Sequence, residues 1–430
     1  MGGCVAMSAS AQETKQSQDL SVELNPVVVT GTGTHHRLKD TPTPVEVVTA
    51  NEIKKAGITD FREAMTALVP SLSFSTNSMG DYLMLNGLSN KYVLILINGK
   101  KLTGDSSNNI DLNRIDMSNV KRIEVLKGAG SALYGSDAIG GVINIITNQP
   151  INDITVTSNT KVEERGQFTQ TANVDIKTEK FASYTSYQRR QSDGWTLTRV
   201  DADGEARDQH DANAFYTDNY TQMFQFTPND KLSMYVEGSY YDRTVKRQPE
   251  YLKYNLTYDA YSLGAGAKYN FNKRSYIQFD IKNDNYDTNY LYTNEDGDNK
   301  VGDEVRQKRQ HYYSGNLKSL FRFTENTRTI FGVEYIQETL DRPSFNVDER
   351  AYTWAAYAQE EITLFKNLQI QAGLRYVYHE TAKSNVTPKL AVMYRLGDFT
   401  IRGQYSAGFR APGLDELYKY SYSQRGTRAG

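Results

Sequence analysis

The sequence predicts a small α+β domain followed by the antiparallel strands of a membrane β-barrel wall. Three observations predict it. Only 38% of the 430 residues are hydrophobic, yet 11% are aromatic, and 31 Tyr outnumber 16 Phe. A wall that is apolar outside, wet inside and ringed by aromatics at both water interfaces has that composition. The first third of the chain mixes helix and strand signals, whereas period-2 alternation dominates from Pro150 to near residue 408. In that second region short turns alternate with long polar stretches, the layout of outer-membrane barrels whose long loops lie outside.

Composition also excludes. No run of about 18 apolar residues occurs, which argues against a transmembrane helix and leaves barrel strands open. A net charge of -2 and a pI of about 6.3 give no basic surface for nucleic acid. Cys4 is the single cysteine, so the chain has no internal disulfide and no cysteine cluster for a metal. Residues 1–11 read as the clipped end of a secretory signal, with Ala9-Ser10-Ala11 as a small-residue cleavage site. A lipid-modified Cys4 is the alternative.

Residues 12–34 are polar and are expected to be flexible, apart from the β-prone run Val27-Val28-Val29-Thr30-Gly31. Val45–Val48 reads as a strand. Thr49 stands three residues before Glu52, a capping box that opens a short helix ending at Gly57. Thr59 or Asp60 starts a second helix, with Phe61, Ala64, Met65 and Leu68 at helical spacing and Pro70 beyond. Residues 82–87 and 92–97 read as strands. The second is continuously apolar, so both its faces are expected to be buried. Residues 120–126 and 140–147 supply two more strands. The first unit is thus 35–150.

Residues 151–430 read as wall. Ile277, Phe279 and Ile281 alternate with Gln278, Asp280 and Lys282, as do Leu374 and Tyr376 with Arg375 and Val377. Turns stand at Asn229-Asp230, Asn272-Lys273, Glu325-Asn326, Lys366-Asn367 and Gly397-Asp398, with long polar stretches over 191–212, 244–257, 288–308 and 339–350. The count is about 13 strands, odd where bacterial barrels are even, so the wall is expected to be incomplete, and unable on its own to close in a bilayer.

The segment Arg122–Thr147, containing Lys127-Gly128-Ala129-Gly130-Ser131-Ala132-Leu133-Tyr134-Gly135, resembles the end of the plug of a TonB-dependent outer-membrane receptor, and Leu94–Gly99 and Pro70-Ser71-Leu72 resemble earlier plug landmarks. The resemblance implies a plug inside a barrel of 22 strands in the outer membrane of a Gram-negative bacterium, with no enzymatic chemistry and no intrinsic cofactor. It implies import of a metal chelate (haem, ferric siderophore or cobalamin) driven by the inner-membrane TonB complex, with a surface lipoprotein as a further partner. Val27, Val28, Val29, Thr30 and Gly31 resemble a TonB box, an extended segment that pairs with a partner's strand edge. Phe409-Arg410-Ala411-Pro412 resembles the FRAP box of haem receptors and related transporters, without the histidine those haem receptors carry soon after.

Candidate ligand contacts follow: Met79, Asp81 and Tyr82 in a turn-rich part of the plug, His379 on the lumen register with Gln371 and Arg375, and Arg410, Tyr418 and Tyr420 at the outer rim. His35 and His36 read as solvated joint residues, since neighbours in a strand point opposite ways. Arg122, Glu124 and Lys127 could lock plug to wall through ion pairs. No phosphate-loop ending, metalloprotease helix or hydrolase elbow occurs in the sequence. The rival readings are a surface receptor or adhesin without active transport, and a truncated fragment without function.

Overall fold

The computed structural model describes residues 5–9, 27–34, 36–77, 80–106, 109–200, 204–247 and 252–418. The first unit is built on five strands, β1 (Val45–Thr49), β2 (Val93–Ile97), β3 (Lys100–Lys101), β4 (Val120–Lys127) and β5 (Gly141–Thr147). Their spatial order is β1-β4-β5-β2-β3; the β5–β2 pair is parallel and the others antiparallel.

Local chemistry explains the helices. Helix α1 (Ala50–Lys55) begins on the predicted capping box: the Glu52 N–H donates to Thr49 Oγ1 at 3.3 Å, and the Thr49 N–H donates to the Glu52 carboxylate at 2.8 Å. Helix α2 (Phe61–Leu68) is capped by Asp60, which accepts from the Glu63 N–H at 3.0 Å. Phe61, Ala64 and Met65 pack with Ile123, Val125, Ile143 and Ile145 in the main core. β2 is apolar throughout because it feeds two cores. Val93 and Ile95 face α2, whereas Leu94 and Leu96 join Val28, Val45, Leu126 and Val142 on the other side.

The second unit is one antiparallel sheet of thirteen strands in chain order: β6 (Ile154–Val162), β7 (Phe168–Lys177), β8 (Phe181–Ser192), β9 (Phe215–Asn229), β10 (Leu232–Val245), β11 (Tyr254–Asn272), β12 (Ser275–Tyr292), β13 (Glu304–Phe321), β14 (Thr327–Arg342), β15 (Val347–Leu364), β16 (Leu368–His379), β17 (Lys383–Leu396) and β18 (Phe399–Ser406). Val5–Ala9 pairs along β6, and among the described residues no pairing joins β18 to β6. Val236, Leu263, Ile281, Leu317, Val333 and Leu374 point outward and are exposed. Tyr241, Tyr286, Gln359, Gln371, Arg375 and Lys389 point inward and are buried against the first unit. On β11 the exposed outward tyrosines Tyr261 and Tyr269 stand about 27 Å apart along the strand before tilt, close to the apolar band of a membrane barrel. No described helix is long and apolar enough to cross a membrane, which says nothing of strands.

Two expected long connections are different. Over 339–350 the strands run on to Arg342 and resume at Val347, joined by the single 3-10 turn Pro343–Phe345 with Asn346 in the left-handed region at φ 52°. Within 191–212 a hairpin forms, Trp195–Val200 with Ala206–Ala212. Both stretches are polar because the strands rise above the apolar band, and polarity there imitates a loop.

The wall is interlocked by tyrosines laid over glycines. A Cβ on Gly332 would stand 2.1 Å from the ring of Tyr357, whose cross-strand neighbour it is. The ring in turn lies 5.3 Å from the Arg375 guanidinium. Gly332→Val must displace it, so we expect a loss of about 1–3 kcal/mol from overpacking. Denaturant titration reads this. An unshifted midpoint would show that the ring has somewhere else to go.

Candidate functional site

A cleft of about 630 Å³ runs between the first unit and strands β11–β16. Val29, Gly33 and Thr34 line one end; Asn90, Lys91, Arg410 and Glu416 line the other.

The first end is built by the N-terminal segment. Val27 and Val28 pair with Arg37 and His36. Val28 is 1% exposed and Thr30 fully buried, so residues 28–34 are packed rather than loose, while Val27 stays exposed. Glu124 on β4 organises this turn. Its carboxylate accepts the N–H groups of Val29 and Thr30 at 2.9 and 2.8 Å and the Thr30 hydroxyl at 2.6 Å. Arg122 balances the charge from 2.8 Å, and Lys127 pairs with Glu46 at 2.8 Å. These ion pairs therefore close within the first unit and do not bridge it to the wall. His36 is not solvated either: it is 4% exposed, with Nε2 3.1 Å from Glu361 and Arg328 bonded to both. His35 lies outside the described residues.

The second end is built by the chain after β18. Gly408–Tyr418 turns inward and lies on the glycine-rich segment around α3 (Ser131–Tyr134). The Phe409 N–H donates to Ser131 Oγ and the Ala411 N–H to Ser136 Oγ, each at 3.1 Å. Helix α4 (Leu414–Leu417) then reaches the wall: Leu414 packs on Leu340, Val347 and Ala351, and Asp415 pairs with Lys308 at 3.0 Å. Charges tie this strap down. Arg410 pairs with Glu416 and lies 3.6 Å from Asp137, Lys91 reaches Glu416 at 2.6 Å, and Lys101 reaches Asp137 at 2.8 Å. Burial pushes the Glu416 carboxyl up, but hydrogen bonds from Lys91 and Arg410 outweigh it and hold it below the ordinary range. Burial pulls the Lys101 ammonium down, yet Asp137 and Glu338 outweigh that and raise it, so it stays charged.

The fold brings two of the expected ligand contacts, His379 and Arg410, to this cleft. His379 is 4% exposed, and its Nδ1 accepts the N–H groups of Thr381 and Ala382 at 3.1 Å each, which leaves Nε2 as the protonated ring nitrogen, with no hydrogen-bond partner among the described residues. Tyr82 is half-buried on the strand Gly80–Leu85, beside the turn Asn90–Tyr92 and off the cleft lining; Asp81 is on the same strand. Tyr418 packs into the apolar cluster around Leu340. Met79 and Tyr420 lie outside the described residues. Lys91, Lys101, Asp137 and Glu416 were not expected here. They are far apart in sequence and no spacing announces them.

Comparison with known proteins follows the same division. The family model for the TonB-dependent receptor plug domain matches residues 37–142, and that for the TonB-dependent receptor-like β-barrel matches 146–430. The chain is 24% identical, over 97% of its length, to the iron-regulated outer membrane virulence protein of Vibrio cholerae, of which it covers 64%. It is 25% identical, over 92% of its length, to the vitamin B12 transporter BtuB of Vibrio cholerae, again covering 64%. The crystal structure of the siderophore receptor PirA from Pseudomonas aeruginosa superposes with a TM-score of 0.65 at 20% identity, over 86% of this chain and 62% of that one. The chain thus spans about 64% of the length of the curated relatives it matches.

Proposed function

The chain belongs to the TonB-dependent receptor family, whose members are receptors and transporters rather than enzymes, and on that premise we propose that it binds a metal chelate at the outer rim and takes it up by TonB-coupled transport. One observation carries the reading. A single cleft connects a charged outer end, with Arg410, Lys91 and His379, to the N-terminal segment Val29–Thr34 at the other end. A ligand at one end and a coupling partner at the other can then act on the same plug. The outer donors suit an anionic or metal-bearing ligand, because Arg and Lys bind carboxylate, phosphate and catecholate oxygens as charge-assisted donors. Ferric siderophore and cobalamin are favoured over haem, since relatives bear those names.

The test is direct binding by the full-length receptor in isolated outer membranes, with ferric enterobactin, cobalamin and haem as probes. Saturable binding of one of them is expected. Binding of none would sink the proposal. Arg410→Ala is expected to weaken that binding by about tenfold, roughly 1.4 kcal/mol, while leaving expression unchanged. An unchanged Kd would place the ligand elsewhere.

A further inference from the structure

Four successive backbone carbonyls at the head of the plug are each taken by a different side chain. The Tyr134 hydroxyl donates to Thr30 O at 3.1 Å. Lys389 Nζ donates to Gly31 O at 3.0 Å, Gln359 Nε2 to Thr32 O at 2.7 Å, and Lys318 Nζ to Gly33 O. The last three donors come from three different wall strands, β17, β15 and β13. A tight turn presents the carbonyls outward: the Gly33 N–H closes on Val29 O at 2.7 Å, and Gly33 sits at φ +73°. Gly31 has no room for a side chain, since a Cβ there would lie 2.9 Å from Val45.

This arrangement is unusual in its chemistry. A turn of this size would ordinarily leave its carbonyls to water. Here Thr30 and Thr32 are at most 1% exposed, so each oxygen needs a protein donor. Lys389 is 4% exposed and Lys318 faces the cleft, and neither has an ion-pair partner among the described residues. Two wall ammonium groups spend their hydrogen bonds on neutral carbonyls. The rest of the segment is held the same way, with Arg402 donating to Lys39 O and Thr41 O at 3.0 and 3.1 Å.

We propose that Lys318, Gln359 and Lys389 are positioning residues that clamp residues 31–33 to the wall and so set how readily the segment at 27–31 leaves its seat. Its functional meaning rests on reading that segment as the coupling box; its geometry does not. The clamp grips main chain, so it resists a pull on the segment without specifying its side chains. It also separates two events. The Glu124 bonds hold Val29 and Thr30 to the plug, whereas the carbonyl donors hold Gly31–Gly33 to the wall. Movement of plug against wall must break the second set and can keep the first.

The experiment measures exposure of the segment. In full-length protein in isolated outer membranes, every native cysteine is replaced by serine and Val28→Cys places a probe that is 1% exposed in the seated state. Labelling by a charged maleimide is then timed. Gln359→Leu together with Lys389→Met is expected to speed labelling at least tenfold, and Gln359→Leu alone by a few-fold. Lys389→Arg, which keeps a donor, is expected to stay within twofold of the parent. A second probe, Ile143→Cys in the plug core, is expected to remain protected throughout. Unchanged or slower labelling in both the double and the Gln359→Leu variant would overturn the clamp. So would equal acceleration by Lys389→Arg and Lys389→Met, or simultaneous exposure of Ile143→Cys in the Gln359→Leu variant, which would mean general loosening. Uptake does not enter these readings, so the coupling role can fail while the clamp stands.

Discussion

Cells whose receptor lacks residues 27–31 are expected to bind the chelate normally and to accumulate none above the background of cells with no receptor. The segment is placed where such a split is possible. Among the described residues its long-range hydrogen bonds run to Glu124, Tyr134, Asn144 and Lys389, and none runs to Arg410, Lys91 or Glu416. Its removal takes no bond from the strap Gly408–Tyr418 itself, although it frees the Tyr134 hydroxyl on the α3 turn that carries Ser131. Deletion also removes Val28 from the smaller core, so a gentler variant is needed. Val27 is 41% exposed and makes the first pair of the two-residue ladder with Arg37. Proline there cannot donate to a partner strand, and it takes little packing away. Val27→Pro is therefore expected to reproduce the loss of accumulation with binding and expression unchanged. Normal accumulation in both variants would favour a surface receptor or adhesin that does no coupled transport. Loss of binding along with uptake would mean instead that the segment supports the outer site through the fold.

The parts of this structure legible from sequence are those governed by near neighbours. The box Thr49–Glu52 and the Asp60 cap are satisfied within three residues, so spacing alone announces α1 and α2. The unbroken apolar run of β2 fits two cores because alternate side chains serve each. The wall repeats one rule on every strand, and His379 falls on the inner register with Gln371 and Arg375 as alternation requires. What could not be read was every polar contact made across the chain. Thr30 meets Glu124 94 residues away, and Gly31 meets Lys389 358 residues away. His36 was expected in water because a neighbouring His35 must point the other way. That argument speaks only against a shared metal site and is silent about Glu361 and Arg328, which bury His36. Polar residues of the upper wall imitate a loop until pairing of Leu340 with Glu349 is seen.

Replacing Asp111 with alanine is expected to release the plug loop 103–116 from the wall, at about 3–5 kcal/mol, the cost of breaking a buried ion pair from one side. Asp111 is the acceptor for an entire cluster. Oδ2 takes the hydroxyls of Tyr241 and Tyr286 at 2.7 and 2.9 Å. Oδ1 takes the Asn113 side chain at 2.9 Å and Arg243 at 3.3 Å. Alanine leaves all four donors in place with nothing to receive them, and the Arg243 charge unpaired beneath the loop. Next to it Arg114 pairs with Asp284 on β12 at 2.7 Å, so the loop is held by two neighbouring charge pairs and loses one. Burial pushes the Asp111 carboxyl up, but Arg243 and the hydrogen bonds outweigh it and hold it below the ordinary carboxylate range. A group depressed on folding stabilises the folded state above its unfolded pKa, about 3.9. That contribution is lost as pH falls through the lower folded value. The loop is thus expected to stay seated at neutral pH and loosen only below about pH 4, and Asp111→Asn should remove this acid dependence while keeping part of the hydrogen bonding. Amide hydrogen exchange over 103–116 is the measurement, with the amides of β4 and β5 as the reference. Faster exchange confined to the loop agrees with local release. Unchanged loop exchange in Asp111→Ala would mean that Arg114 and Asp284 hold it unaided.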